Sequence, residues 1–240
     1  MISIMRGAAE TGLYNASYRL LDALYFIPAA VIGAVFPAMS RLHISSKTVL
    51  QGLYKKAFYY LLVLALPMAI GATLVAERLM HFMYGSDFLG ASIALKILIW
   101  AEAAIFLSSL TGHLMNATNR QLVFTFTTAA AAVLNILLNL YMIKVWGFLG
   151  AAISTLITEF FVLAVLIYFA RKSGFSFNVL RMALRPVLAA ITMALVIFAL
   201  LQFHVLIIVI AAIVSYFVVL LAVKGIAKEE LSLAKSFLKR

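Results

Sequence analysis

Leu122–Ile143 reads LVFTFTTAAAAVLNILLNLYMI, a run of 22 residues without a charged side chain, and it decides the class of fold. An apolar helix of about 20 residues crosses the hydrocarbon core of a bilayer. Backbone polar groups must be paired within the protein there, so a spanning chain is either helical or a closed barrel. Barrel strands alternate apolar and polar residues, and this run does not. It therefore predicts a transmembrane helix.

The same character extends over the whole chain of 240 residues, which is 66% hydrophobic and only 11% charged. Soluble domains are about half apolar and a quarter charged, so the bilayer must be part of the solvent. We predict an all-α integral membrane protein with about seven transmembrane helices in a single membrane domain. In chain order the predicted spans are 17–39, with kinks at Pro28 and Pro37, then 57–75, 91–114, 122–143, 148–170, 186–203 and 205–223.

The basic residues of the chain, whose net charge is +11, indicate an orientation rather than a nucleic-acid partner. Fourteen Lys and Arg residues lie in alternate loops and the tail, and three lie on the opposite side. Cytoplasmic loops carry the excess of basic residues, so the start of the chain is expected outside and the C-terminus in the cytoplasm. Met1–Gly12 lacks the apolar core of a signal peptide. This predicts helices missing upstream; the alternative is a true seven-helix protein inserted by its first helix.

Ionisable and amide side chains at membrane depth are costly and are candidates for function. Glu102 and Glu159 have no obvious local partner, which favours a polar cavity where a carboxyl group carries a proton. Arg19 and Asp22 stand three residues apart on one helical face, so they either pair or serve the cavity. The candidate cavity residues are Arg19, Asp22, Lys96, Glu102, Asn135, Asn139 and Glu159.

Structural explanations remain open for three of these candidates. Asn135 and Asn139 lie four residues apart, which also suits hydrogen bonds between helices, and Lys96 can extend its amine to the membrane surface. The chain has no cysteine and no motif for phosphate binding, metal ligation or nucleophilic catalysis. We expect neither an enzyme nor a bound cofactor or metal; a proton or sodium gradient would be the coupling ion.

Three stretches resemble bacterial polysaccharide flippases. The first, Gly12–Leu42, is GLYNASYRLLDALYFIPAAVIGAVFPAMSRL, with its tyrosine, arginine and late proline before a serine–arginine pair. The second, Met83–Leu98, is MYGSDFLGASIALKIL. The third, Asn135–Glu159, is NILLNLYMIKVWGFLGAAISTLITE and the most specific. Together they resemble the O-antigen flippase family, the oligosaccharide-lipid branch of the MATE-like superfamily that also holds lipid II flippases and drug exporters.

The resemblance implies more than composition does. Members have twelve to fourteen helices in two halves around a central cavity, and this chain aligns with helices 8–14, a C-terminal half from a truncated frame or a split gene. Its partners would be the bilayer, the missing N-terminal half or a partner chain, and the lipid-linked oligosaccharide. Four candidates match family-typical positions, Arg19, Asn135, Asn139 and Glu159, whereas Glu102 and Lys96 rest on physical reasoning alone.

The function implied is the flipping of undecaprenyl-diphosphate-linked sugar repeat units across a bacterial or archaeal plasma membrane, for polysaccharide and lipopolysaccharide biosynthesis. One alternative is a fragment of a MATE-type drug or cation exporter, whose cavity should favour carboxylates and aromatic rings over basic residues. Another is a non-transporting membrane partner of glycan assembly enzymes.

Overall fold

The computed structural model describes residues 1–225, and all regular structure in that range is helical. The prediction of a basic cytoplasmic tail falls mostly on residues 226–240, outside the described part. The chain divides into two compact units, Met1–Phe177 and a second that begins at Asn178. The helices are α1 (Ile2–Arg6), α2 (Ala8–Asp22), α3 (Phe26–Ser45), α4 (Lys47–Tyr84), α5 (Ala91–Ala117), α6 (Gln121–Lys172), α7 (Val179–Ala199) and α8 (Val205–Ala222), with a short 3₁₀ turn at Ser86–Phe88.

Six helical segments in the described range are long and apolar enough to cross a membrane, with α2 and α3 forming one of them. The prediction of an all-α integral membrane protein is confirmed. α4 has 38 residues and is therefore about 57 Å long, which exceeds the bilayer thickness of roughly 40–45 Å. It begins ten residues before the predicted second span because Ser46 caps it by accepting a hydrogen bond from Val49 N.

The long helix α6 is a hairpin of two antiparallel arms, 121–146 and 148–172. Gly147 between them has φ 57° and ψ −139°, outside the helical region. Asn135 Nδ2 donates to Thr158 Oγ1 at 3.2 Å, although 23 residues separate the two. In a straight helix, residues this far apart in sequence would lie about 34 Å from each other. The chain therefore reverses direction at Gly147. The predicted fourth and fifth spans fall on the first and second arm.

Small residues let the two arms of α6 approach closely beside the turn. A Cβ atom on Gly150 would run into the carbonyl group of Met142. Ser154 Oγ contacts Met142 Sδ at 3.4 Å. In lipid, such close approach is the main source of attraction between helices, because apolar side chains gain little by leaving the hydrocarbon.

The break in α6 leaves backbone C=O and N–H groups without helical partners, and two side chains near the start of the chain bind them. Arg6 Nε donates to Ile143 O at 3.0 Å, and Arg6 Nη2 donates to Lys144 O. Glu10 Oε2 accepts from Phe148 N at 2.8 Å. The first arm ends in free carbonyls and the second begins with free N–H groups. Each charge therefore lies at the helix end that attracts it. We call this end of the first unit the turn end.

The first predicted span consists of two helices, with a break between Asp22 and Phe26. Pro28 accounts for the break, because its ring would clash with the carbonyl of Leu24 four residues earlier and it has no N–H to donate. Pro37 lies inside α3, where the helix continues through it.

The central helix of the first unit is α5, which has the largest buried share of the candidate spans. Tyr54 of α4 lies 3.0 Å from Thr111 Oγ1 on α5, and both side chains are buried. Gly112 leaves room for Phe124, whose ring a Cβ would meet. α5 therefore packs closely against α4 and the first arm of α6.

The second unit contains α7 and α8, which pack against each other. α7 begins seven residues before the predicted sixth span, since Asn178 Oδ1 accepts from Arg181 N at 3.0 Å and caps the helix there. Arg185 Nη1 donates to Lys224 O at 2.8 Å after the end of α8. Both helices carry many exposed large apolar side chains, as lipid-facing helices should.

Candidate functional site

A stripe of polar side chains follows one face of α2 at four-residue intervals: Glu10, Tyr14, Tyr18 and Asp22. This spacing keeps them on one side of a helix. The Tyr14 and Tyr18 rings stack with centroids 5.7 Å apart. The Tyr14 hydroxyl lies 3.4 Å from Thr155 Oγ1, so the stripe faces the second arm of α6.

Three carboxyl groups from three helices lie within electrostatic range of Tyr18 on this stripe, and all three of them act on it. Glu102 of α5 interacts electrostatically with Glu159 of the second arm and with Asp22 of α2. We call the group of Tyr14, Tyr18, Asp22, Glu102, Thr155 and Glu159 the polar seam. The seam therefore joins three of the seven predicted cavity residues.

Glu102 is the most enclosed member of the seam, with 7% of the residue exposed. Its Oε1 is buried and has no hydrogen-bond partner in the structure. Glu159 is half-buried, and Asp22 is exposed. A buried polar atom without a partner is unfavourable by about 1–3 kcal/mol, and polar atoms of this kind mark sites where a ligand or ion completes the bonding.

The asparagine pair lies on the first arm and meets the second arm at Thr158. Asn139 Nδ2 donates to Asn135 Oδ1 at 2.8 Å, and Asn135 in turn donates to Thr158. Asn135 therefore joins the two arms of α6, whereas Asn139 bonds to Asn135 on its own arm. Asn139 Oδ1 is nevertheless buried without a partner. Thr158 and Glu159 are consecutive, so they point about 100° apart around the arm.

Arg19 and Asp22 are both exposed, and no ion pair joins them within the described residues. Arg19 follows Tyr18 directly on α2, so it lies at the edge of the stripe. The spacing in the sequence allowed an ion pair, and the structure shows none between these two residues.

Lys96 lies apart from the polar seam. Its Nζ contacts Glu77 Oε1 on α4 at 2.6 Å, and its side chain is 34% exposed. Six residues separate Lys96 from Glu102, which places them about 120° apart around α5. Lys96 therefore ties α5 to α4 on a different face of the helix.

A pocket of about 510 Å³ lies between α3 and the last turns of α5. Its walls are mainly apolar, and Ser109, His113 and Asn116 supply polar groups. His113 Nδ1 is 2.8 Å from Ser109 O. The volume of this pocket and its mainly apolar lining are typical of a site that binds a small ligand. Within residues 1–225, no group of three or more His, Asp or Glu side chains is arranged to hold a metal ion.

Sequence reasoning missed Glu10, Tyr14 and Tyr18 and treated Arg6 only as a loop charge. The four-residue spacing that links Glu10 to Asp22 was a signal that could have found the stripe, because it predicts a polar face on an otherwise membrane-bound helix. No local signal connects Arg6 to Ile143, since the contact crosses 137 residues.

Residues 1–93 match the protein family described as "Polysaccharide biosynthesis protein". The probable low-salt glycan biosynthesis flippase Agl15 of Haloferax volcanii is 25% identical over 158 residues, 65% of this chain and 33% of that protein. The probable flippase AglR of the same organism is 24% identical over 151 residues, 61% of this chain and 32% of that protein. The alignments thus span about a third of the length of these relatives.

Among solved structures, the lipid II flippase MurJ in an inward closed conformation matches with a TM-score of 0.71 at 16% identity. The match covers 91% of this chain and 50% of that one, and at this identity it shows a shared fold. The family match, the flippase relatives and the shared fold agree with the resemblance seen in the sequence, and together they identify the chain as a relative of the polysaccharide flippases.

Proposed function

We propose that this chain is one half of a transporter that flips lipid-linked oligosaccharides across a bacterial or archaeal plasma membrane. The observation that carries the proposal is the polar seam, with the buried and unpartnered Oε1 of Glu102 at its centre, inside a bundle of flippase fold. The function is transport rather than catalysis.

The seam would replace the water that a sugar headgroup loses. Moving hydroxyl and phosphate groups through bare hydrocarbon is prohibitively unfavourable. The tyrosine hydroxyls of the seam can hydrogen-bond sugar hydroxyls, and the unpartnered Oδ1 of Asn139, outside the seam, can accept another such bond. The apolar carrier chain stays in the lipid. The exposed Arg19, at the edge of the stripe, is the nearest candidate among the predicted residues for pairing with a diphosphate.

The acidic character of the seam implies a coupling ion. A diphosphate and three carboxylates repel one another in a low dielectric, so the carboxyl groups must be neutralised while the headgroup passes. Protons or sodium ions would do this, and their release on the other side would reset the site. Glu102 and Glu159 are the groups we assign to this role.

The share of the larger flippase that the chain covers fits a cavity built from two parts. The structural match covers half of the larger flippase, and the exposed face of α2, with Arg19 and Asp22, would then meet the other half or a partner chain. In this arrangement the start of the chain lies outside and the C-terminus in the cytoplasm, as the basic loops predict.

The test is a reconstitution assay. The purified chain is placed in liposomes with a polyprenyl-diphosphate oligosaccharide that carries a fluorescent sugar, and an impermeant quencher reports how much of it reaches the outer leaflet. Because the chain is one half of the proposed transporter, we expect it to bind this lipid in detergent in preference to the sugar-free polyprenyl phosphate, and to give flux where a partner chain completes the cavity. Glu102→Gln should reduce flux or binding, and Glu77→Gln, on the exposed α4–α5 pair, should not. Absence of both flux and preferential binding would overturn the proposal.

One alternative has an observation in its favour. Three carboxyl groups beside stacked tyrosines also suit an organic cation, which aromatic faces and carboxylates attract. Quenching of ethidium fluorescence by the same purified chain would favour a MATE-type exporter if it saturates and is lost in Glu102→Gln. A chain that binds glycan assembly enzymes without any flux would instead be a non-transporting partner.

A further inference from the structure

The first ten residues lie across the hairpin turn of α6. Ile2 is buried and packs with Ile143 of the first arm and Ala151 of the second. Gly7 then turns the chain into α2 with φ 85°, in a region that favours glycine. The segment therefore contacts both arms, and it does so before α2 begins.

Arg6 and Glu10, which we call the clamp, use opposite charges on opposite helix ends. The guanidinium binds the carbonyl end of the first arm, and the carboxylate binds the N–H end of the second. A Cβ on Gly147 would collide with the Glu10 carboxyl group. The clamp thus fits only a sharp turn without a side chain.

Besides the clamp, α2 meets the second arm mainly through apolar packing, in a cluster that contains Ala16 and Ala152. Only Ala16, Ser17 and Leu21 of this helix are buried. Ser17 Oγ donates to Ala91 O of α5 at 2.8 Å, and Tyr14 contacts the second arm through its hydroxyl, 3.4 Å from Thr155 Oγ1. Apolar packing is non-directional, so it fixes the register of α2 less firmly than the charged hydrogen bonds of the clamp do.

We propose that Arg6 and Glu10 are positioning residues: by holding the two broken ends of α6, they set the register of α2 against the second arm and so the spacing of the seam's carboxyl groups. From Glu10, the stripe places Tyr14 beside Thr155 and Asp22 within range of Glu102. A shift of one turn would separate these partners. The inference concerns geometry and holds whatever the seam carries.

The test measures the distance between α2 and the second arm in the full chain. The chain has no cysteine, so nitroxide labels on Asn15→Cys and Ile157→Cys, both exposed positions, give a clean pulsed-EPR distance. Exchanging the clamp charges, Arg6→Glu with Glu10→Arg, puts each charge at the helix end that repels it. We expect the distance to shift by up to about 5 Å, or one helical turn, or to split into two populations.

The matched control exchanges another charged pair. Glu77→Lys with Lys96→Glu reverses a direct ion pair, which stays attractive after exchange and should leave the distance unchanged. A clamp with only a stabilising role would lower the melting temperature and leave the distance as it was. That result in the folded charge-exchange variant would overturn the inference.

A milder variant covers the case in which the exchanged clamp does not fold. Glu10→Gln keeps an acceptor for Phe148 N but removes the charge. We expect amide exchange just after Gly147 to be faster by roughly tenfold, the difference between a charged and a neutral acceptor, and the EPR distribution to broaden. Unchanged exchange and an unchanged distribution would contradict a positioning role.

Discussion

The turn end and the polar seam both place polar groups in an apolar chain, and they differ in how these groups are satisfied. At the turn end, Arg6 and Glu10 bind the free ends of the two arms. In the seam, Glu102 Oε1 has no partner. Polar groups that maintain a fold are normally satisfied by the protein. An unsatisfied acceptor at membrane depth instead indicates a place for a ligand. The presence or absence of a hydrogen-bond partner therefore distinguishes the polar groups that hold the fold from the polar group that we assign to a ligand.

The largest effect on stability is expected from a substitution at Gly147, in the hairpin turn of α6. Gly147→Ala adds a side chain to a backbone region reserved for glycine and pushes it into the Glu10 carboxyl group. We expect a loss of about 2–4 kcal/mol in unfolding free energy, seen as a melting temperature lower by roughly 10 °C. Gly52→Ala, in open space on α4, is the control and should stabilise slightly. Equal effects would mean that the turn is not strained.

The next substitution, at Glu102, should raise the stability of the protein and lower its flux. Glu102→Met removes a buried acceptor that lacks a partner, so the free energy of unfolding should rise by about 1–3 kcal/mol, while flux falls to background. Thermal unfolding in detergent and the liposome assay measure the two quantities. If Glu102→Met is less stable than the parent, the carboxyl group has a structural role and the comparison fails.

A smaller effect distinguishes the two asparagines. Asn135 bonds both Thr158 and Asn139, whereas Asn139 keeps a free buried oxygen. Asn135→Ala should lower unfolding free energy by about 0.6–1.7 kcal/mol, the range for interhelical hydrogen bonds in lipid, and Asn139→Ala by less. For flux we expect the reverse order. The same order in both measurements would leave no functional role for the free oxygen.

The smallest change in stability is expected in the pocket beside α3. At Gly33, nothing lies within 4 Å of an added Cβ, so Gly33→Leu fills the pocket without a clash and should alter unfolding free energy by less than about 1 kcal/mol. Flux should fall if the pocket admits substrate. Gly52→Leu, equally open but outside the pocket lining, should keep flux. Equal flux in both variants would remove the pocket from the transport route.

The fold class was predictable because apolar runs of spanning length are a local property of the sequence. The asparagines were predictable as a pair because residues four apart share a helical face, and Asn139 does donate to Asn135. Spacing was not sufficient for Arg19 and Asp22, because solvent-facing side chains on one face need not approach. It also did not show that Lys96 binds Glu77 on another helix.

The seam was only partly predictable. Glu102 and Glu159 were identified from their depth, but their proximity to Asp22 depends on how three helices pack. The role of Glu10 depends on a contact with Phe148, 138 residues away. Sequence patterns report which face of a helix is polar. They do not report which other helix that face meets.

The single-residue turn of α6 also bears on how the chain is made. No hydrophilic loop separates the two arms, so no polar segment has to be carried across the bilayer between them during synthesis. An arm that entered alone would expose Asn135 and Asn139 to lipid until Thr158 arrived. We therefore expect the two arms to enter the membrane together as a hairpin, with Asn135 already bonded to Thr158.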